Sequence, residues 1–368
     1  MKVSINSKFI HGPFGGAMQF ANSIRTYLED RGIEVVNDLQ DDDVDIILHV
    51  CPFPFIMRAG AYTFFDAYIY KLLHPETVIV CRMNECDERK GTTYMNKLLA
   101  KVRKYSDFTV YIAGWLRELL YEEMIDKSMP YQVIYNGGDE TIFYSDGTKS
   151  SHMRDGVLKL VTHHWSDHKL KGHDIYQRLD EYVCKHPDRF SFTYIGRIPK
   201  GITYKHSQLL APISGKELGN ELRKYDAYIT ASRNEPGGMH HVEGALSGLP
   251  ILYINSGSFP EMCSGFGIEF TEENFEEKLE LMYREFEIWK KKMTNYSYTS
   301  ENMCDSFLEL IYNLYKNKLS FRARGSSFQR SLRALGIKLY GKTFSTIFGF
   351  MFKTSIRCRK LIRMCKVF

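Results

Sequence analysis

The stretch Ser232–Pro250, "SRNEPGGMHHVEGALSGLP", sets Glu235 and Glu243 eight residues apart across a Gly-Gly turn. Spacing alone carries little weight. With 25 Glu in 368 residues, random placement yields about one or two such pairs, and Glu261/Glu269 and Glu301/Glu309 share the separation. The surroundings say more. "AYITAS" reads as a strand, "NEPGG" as the loop leaving it, and "MHHVEGALS" as a helix that stops at Gly248 before the strand "PILYIN". Glu235 then lies on the loop and Glu243 in the first turns of the helix. Gly237 and Gly238 carry no side chain, so a ligand can approach the backbone N–H groups, and the helix start suits a phosphate or sugar oxygen. A carboxylate one turn in can accept two hydrogen bonds from a diol. Glu235 could hold sugar hydroxyls or stabilise positive charge at an anomeric carbon. A capped structural helix with solvated acids is the competing reading, and this stretch by itself leaves both open.

Working outward, the same strand–loop–helix rhythm recurs. "KVSIN", "IEVV", "DVDIILHV", "TVIVCRMN" and "DFTVYIA" read as strands. Helical patterns intervene, such as "AMQFANSIRTYLEDRG", with apolar Met18, Ala21, Ile24 and Leu28 and a C-capping Gly32. The rhythm restarts with "GVLKLVTHHW", "RFSFTYIG", "AYITAS", "PILYIN" and "GIEF", after the polar stretch 145–156. Strands alternating with helices predict parallel sheets covered on both faces. The expected fold is therefore α/β: two doubly wound, Rossmann-like domains with a cleft between them. The expected division is 1–145, 146–300, a helix at 301–318 returning toward the first domain, and a basic tail at 319–368. Ligands of such sheets bind beyond the carboxyl ends of the strands.

Composition excludes several classes. Apolar content of 44% and charged content of 25% suit a globular protein. No run of about 18 apolar residues occurs, so no membrane-spanning helix is expected. The opening "VSINSKFIHG" has no apolar core of a secretory leader. The eight cysteines show no zinc spacing, which predicts reduced thiols in a cytosolic protein. The net charge of +5 is unevenly spread. Residues 316–368 hold fourteen Lys/Arg and no Asp or Glu, and the other 315 residues hold 35 Lys/Arg against 44 Asp/Glu, a net of −9. Such a basic block meets anionic partners. Leu332, Leu335, Phe344, Phe348, Phe352, Ile356 and Leu361 interleave with its cations, which predicts one or two amphipathic helices in a membrane interface. Nothing suggests a nucleic-acid recognition element.

At this point the chain resembles a known family: retaining nucleotide-sugar glycosyltransferases of the GT-B fold, family 4, whose hallmark is E-x7-E. The resemblance rests on Ser232, Gly237-Gly238 and "EGALSGLP" around the two glutamates, and on "ILYINSGSFPE" ending in Glu261. It extends to "GGAMQFANSIRTYLEDRGIEV", to "NGGDETIF" with Asn136, Asp139 and Phe143, and to "HHWSDHKLKGHD" with Lys171-Gly172. These motifs fall in the family's order over about residues 1–315.

The resemblance implies a catalytic Glu235. It implies a donor site of Gly15, Gly16, Lys171, Gly238, Met239, His240 and Glu243, with Glu243 on the ribose and Lys171 on the diphosphate. An acceptor site is expected in the polar cluster Asn84, Glu85, Asp87 and Arg89 after the strand "TVIVCRMN". No metal or cofactor is expected, because no acidic pair stands where a metal would bridge a diphosphate. One departure matters: where the family places an Arg shortly before the Lys, this chain has Trp165 and Ser166, leaving Lys169 or Arg197 as substitutes. The implied activity is sugar transfer from a nucleotide diphosphate to a hydroxyl of a glycan or lipid-linked acceptor, in bacterial surface polysaccharide assembly at the inner face of the membrane. A nucleotide-sugar 2-epimerase and a non-catalytic glycan-binding or assembly subunit are the alternatives.

Overall fold

A computed structural model describes residues 1–9, 16–50, 60–123, 126–147, 155–343 and 346. Two six-stranded sheets organise the chain. The first contains β1 (Lys2–Ile5), β2 (Glu34–Val36), β3 (Ile46–His49), β4 (Val78–Met83), β5 (Phe108–Tyr111) and β6 (Tyr131–Val133), in the order β2-β1-β3-β4-β5-β6. The second contains β7 (Leu158–His164), β8 (Phe190–Gly196), β9 (Gln208–Leu210), β10 (Ala227–Thr230), β11 (Ile251–Ile254) and β12 (Gly267–Phe270), in the order β12-β11-β10-β7-β8-β9. Every strand pairing is parallel. Strand order reverses between β1 and β3 in one sheet and between β7 and β10 in the other. At such switch points crossovers diverge to opposite faces and open a crevice.

The central strands are buried along their whole length because helices cover both faces. Every residue of β4 (VIVCRM), β10 (AYIT) and β11 (ILYI) is buried, so period-2 alternation disappears. Two strands lie outside the sequence reading, β6 and β9. Each is a three-residue edge strand with exposed positions, too short and too polar to stand out. The Phe64–Leu73 helix also lies outside it. A capping box starts that helix: Asp66 N–H donates to Thr63 Oγ1 at 3.3 Å and Thr63 N–H donates to the Asp66 carboxylate at 2.9 Å.

The chain crosses between halves twice, side by side. Gly138 pairs with Thr299, and Gly138 N–H donates to Tyr298 O at 3.0 Å. The Ser300–Lys316 helix then lies on the Gly16–Glu29 helix, with Phe20 and Phe307 rings 5.0 Å apart and Met303, Ile311 and Leu314 in the first half's core. Most of the polar stretch 145–156 lies outside the described residues.

The basic tail, expected as one or two amphipathic helices, is described only through residue 343 and at 346. Residues 327–343 are helical, and one face is docked on the Phe64–Leu73 helix. Tyr340 and Phe65 rings meet edge-on at 5.7 Å, Arg330 donates to Leu72 O at 3.1 Å, Arg333 donates to Tyr68 Oη at 3.0 Å, and Ala334 is buried. Phe344 and the apolar positions from Phe348 onward lie outside the described residues. Among the described residues no helix is long and apolar enough to cross a membrane.

Candidate active site at the second switch point

The loops leaving β7 and β10 converge at the β7/β10 switch point, and the stretch that opened the sequence reading lies there. After β10, Asn234 adopts a left-handed backbone (φ +52°) and its N–H donates to Ser256 Oγ at 2.9 Å. This turn carries Glu235 inward, to 9% exposure, while Ser258 N–H holds the Glu235 carbonyl at 2.9 Å. After β7, the 3-10 turn Lys169–Lys171 ends at Gly172, where a φ of +83° and an added Cβ only 2.2 Å from Ala231 O would exclude any side chain. The two loops are thereby locked backbone to backbone. Lys171 is presented beside Glu235.

Three donors meet one oxygen. Glu235 Oε2 lies 2.8 Å from Arg89 Nη2, 3.1 Å from Lys171 Nζ and 3.0 Å from Ser232 Oγ. Burial pushes the Glu235 carboxyl up, but Lys171 and Arg89 outweigh it and hold the group ionised, down to about 2. Burial also lowers Lys171 from the ordinary lysine value. The second glutamate has a separate partner: Glu243 Oε2 lies 2.7 Å from His163 Nε2, whose Nδ1 lies 3.1 Å from Tyr228 Oη. The spacing of the two acids therefore separates two buried polar sites rather than building one. Elsewhere the same spacing serves ordinary structure: Glu269 accepts from Asn255 at 2.8 Å and Glu301 is exposed.

The remaining donor-side positions cluster here. A Cβ on Gly238 would sit 2.8 Å from Glu235 Cγ and 2.9 Å from the His240 ring, so only glycine lets the loop fold this tightly. His240 Nε2 lies 2.9 Å from Thr230 Oγ1, and its neighbour His241 is fully buried against Phe259 with neither ring nitrogen bonded. Burial lowers His241 to about 3. Gly16 starts the first long helix, and its built Cβ would lie 3.2 Å from Met239 Cγ. Gly15 lies outside the described residues.

The four acceptor-side positions part company. Asp87 spends its carboxylate on the chain that follows it, accepting from Thr92 Oγ1, Tyr94 N–H, Met95 N–H and Asn96 N–H at 2.6–3.1 Å. Its work is to cap the Met95–Arg103 helix. Arg89 crosses the cleft entirely: besides Glu235, its Nη1 donates to Arg233 O at 2.8 Å, Ser232 Oγ at 3.3 Å and Leu170 O at 3.4 Å. Glu85 pairs with Lys90 at 2.6 Å, and burial raises its carboxyl. Asn84 Oδ1 is buried without a hydrogen-bond partner.

Sequence reasoning missed two further bridges. Arg82, fully buried with its guanidinium 3.9 Å from the Phe20 ring centre, donates to Asn136 Oδ1 at 2.6 Å, and Asn136 donates to Gly237 O at 2.7 Å. Glu261 reaches from the second half to the start of the Gly114–Tyr121 helix, accepting from Gly114 N–H at 2.7 Å, from Trp115 N–H and from Tyr135 Oη at 2.9 Å. Arg82 carried no signal because an Arg inside the run "VIVCRM" reads as an accident of composition. A recess of about 560 Å³ opens beside these bridges, lined by Trp115, Glu118, Asn234, Asn255 and Ser256. It borders the Glu235 loop without containing the charged cluster, so the cluster carries more weight than the recess.

Comparison with known proteins agrees on architecture. No protein-family model matches the chain. The Anabaena protein Alr3699/HepE, solved in complex with UDP, superposes with a TM-score of 0.63 at 14% identity, over 85% of this chain and all of that one. A glycosyltransferase from Rickettsia africae gives 0.56 at 15%, over 86% and 98% of the chains. Sucrose-phosphate synthase from Thermosynechococcus elongatus gives 0.59 at 10%, over 86% and 99%. In sequence, the chain is 24% identical over 210 residues to the GPI3 subunit of phosphatidylinositol N-acetylglucosaminyltransferase from Saccharomyces cerevisiae. The match takes in 47% of this chain, which spans about half the length of the curated relatives it matches. The fold is GT-B.

Proposed function

We propose that the protein is a retaining glycosyltransferase of family 4 type, moving a sugar from a nucleotide diphosphate to a hydroxyl of a glycan or lipid-linked acceptor. The observation that carries this reading is the convergence of Lys171, Arg89 and Ser232 on Glu235 at the switch point of a closed GT-B cleft. UDP is named in the HepE complex, which supports a nucleotide-sugar donor here. Glu243 receives the ribose diol, Lys171 the diphosphate, and Gly16, Gly238, Met239 and His240 line the donor. Glu235, kept ionised, faces the sugar. In the transfer step the bond from the anomeric carbon to oxygen breaks, with its electron pair staying on the diphosphate. The acceptor oxygen bonds to that carbon, and its proton leaves to the diphosphate. Fixed charges that need no rearrangement stabilise the oxocarbenium-like transition state. No metal or other cofactor is required, because cations of the chain itself face the leaving group. Asn84 and Glu85 fall to the acceptor side.

The same reading makes this a peripheral protein at the cytoplasmic face of a membrane, in bacterial surface polysaccharide assembly, with no nucleic-acid partner. Support comes from the docked tail helix. Phe328, Leu332, Leu335 and Leu339, spaced four, three and four apart, are 54–73% exposed on one stripe, and Arg and Lys flank it. An apolar stripe bordered by cations suits an anionic bilayer surface.

Two measurements test these statements. A thermal-shift panel of nucleoside diphosphates and their sugars should find one donor that stabilises by about 2.7 kcal/mol at 100 times its dissociation constant; no stabilisation by any overturns the transferase reading. Sedimentation with anionic vesicles should pellet the full chain, and Leu332→Glu with Leu335→Glu should leave it in the supernatant. Equal pelleting of both removes the membrane role and leaves the transferase reading intact.

A further inference from the structure

We propose that Arg89, carried by the N-terminal half, is the second cation on the donor's diphosphate, so that neutralising the leaving group depends on closure of the cleft. This rests on the transferase reading above. A departing diphosphate gathers negative charge, and Lys171 offers only one positive charge against it, already shared with Glu235. The second-half cations nearby are engaged elsewhere or sit outside the cluster. Arg197 is exposed with its guanidinium 5.1 Å from the Trp165 ring centre, Lys169 is exposed, and Arg233 is paired with Asp174 and Glu272 at 2.5 and 2.6 Å.

Arg89 differs from all three. It is 9% exposed, and the contacts described above run to Leu170, Ser232, Arg233 and Glu235 of the opposite half. Its mount is stiff: it sits in the single turn Asp87–Lys90, braced by the four bonds that Asp87 accepts from the next segment. Two cations on one carboxylate leave an excess positive charge in a buried place. An excess buried charge is costly unless an anion answers it. The Arg89 guanidinium now spends Nη1 on Leu170, Ser232 and Arg233 and Nη2 on Glu235. A planar guanidinium that exchanges such contacts can hold phosphate oxygens in two parallel hydrogen bonds. When the halves part, Arg89 leaves with the first half and the diphosphate keeps Lys171 alone.

The test compares nucleoside diphosphate, monophosphate and free nucleoside by calorimetry, after a panel of UDP, GDP, ADP and dTDP has identified the tightest base. Arg89→Ala should weaken the diphosphate about 10- to 100-fold and leave the nucleoside unchanged. Arg89→Lys should recover part of the loss, and turnover should fall with Arg89→Ala at saturating donor. Melting curves of both variants establish that they are folded, and Arg89→Lys carries the test should Arg89→Ala not be. An equal loss across all three ligands, or none on any, overturns the role of Arg89 alone. Failure of the wild type to bind any of the four diphosphates overturns the transferase reading itself.

Discussion

The two sheets present the same topological feature and fill it with different chemistry. At the first switch point, between β1 and β3, the groups among the described residues are neutral. Asn6 Oδ1 accepts from Val50 N–H at 2.6 Å, Ser4 Oγ lies 2.8 Å from Tyr62 Oη, and His49 is buried with neither ring nitrogen bonded. At the second, between β7 and β10, charged groups gather: Glu235 meets Lys171, Arg89 arrives from across the cleft, and Glu243 lies against His163. The backbone creates both crevices. Among the described residues, side chains gather ion pairs at only one of them, which is why fold does not imply function and the site must be argued separately.

That contrast breaks first at Glu235. Glu235→Gln keeps the shape and removes the charge, and turnover should fall by about 10²–10³ while nucleoside diphosphate affinity is nearly unchanged. A variant with wild-type turnover would make the charged cluster structural and erase the difference between the two crevices. A second substitution in each half sharpens it. Glu243→Ala should weaken nucleotide binding by about 1.5–3 kcal/mol. Asn6→Ala should lower the urea midpoint by a comparable free energy and leave that binding constant alone. Nucleotide binding that responds to Asn6 would place the donor in the wrong half.

What the halves share also has a readout. Burial lowers His49 and His241 to about 3 each. Both resist protonation when folded and accept it near 6.5 when unfolded. Their contribution is therefore intact above about pH 6.5 and is lost as pH falls toward 3, at about 1.4 kcal/mol per pH unit for each group. His241→Phe should shrink the stability difference between pH 7 and pH 5 by about 2 kcal/mol in urea titrations; an unchanged difference would mean the ring is protonated in place. The smallest expected effect is none: turnover in excess EDTA should match the untreated protein. Strict restoration by magnesium or manganese would transfer the neutralising role from Lys171 and Arg89 to a metal.

The sequence by itself determined the alternation of strands and helices, and therefore two parallel sheets, because buried strands and amphipathic helices leave periodicities that survive in one dimension. It also located the Glu235 loop and the helix start that carries Glu243, since a Gly-Gly turn between a strand end and a helix start is a local event. Edge strands β6 and β9 escaped because three half-solvated residues carry no pattern. The partners of the two glutamates escaped for a different reason: Lys171 lies 64 positions from Glu235, His163 lies 80 from Glu243, and Arg89 lies 146 from Glu235. Nothing in a linear spacing distinguishes Arg89, which crosses the cleft, from Asp87 two residues earlier, which caps the helix that follows it. Only the closed packing of the two halves separates them, because a buried charge takes its function from whatever the tertiary fold brings within hydrogen-bond reach.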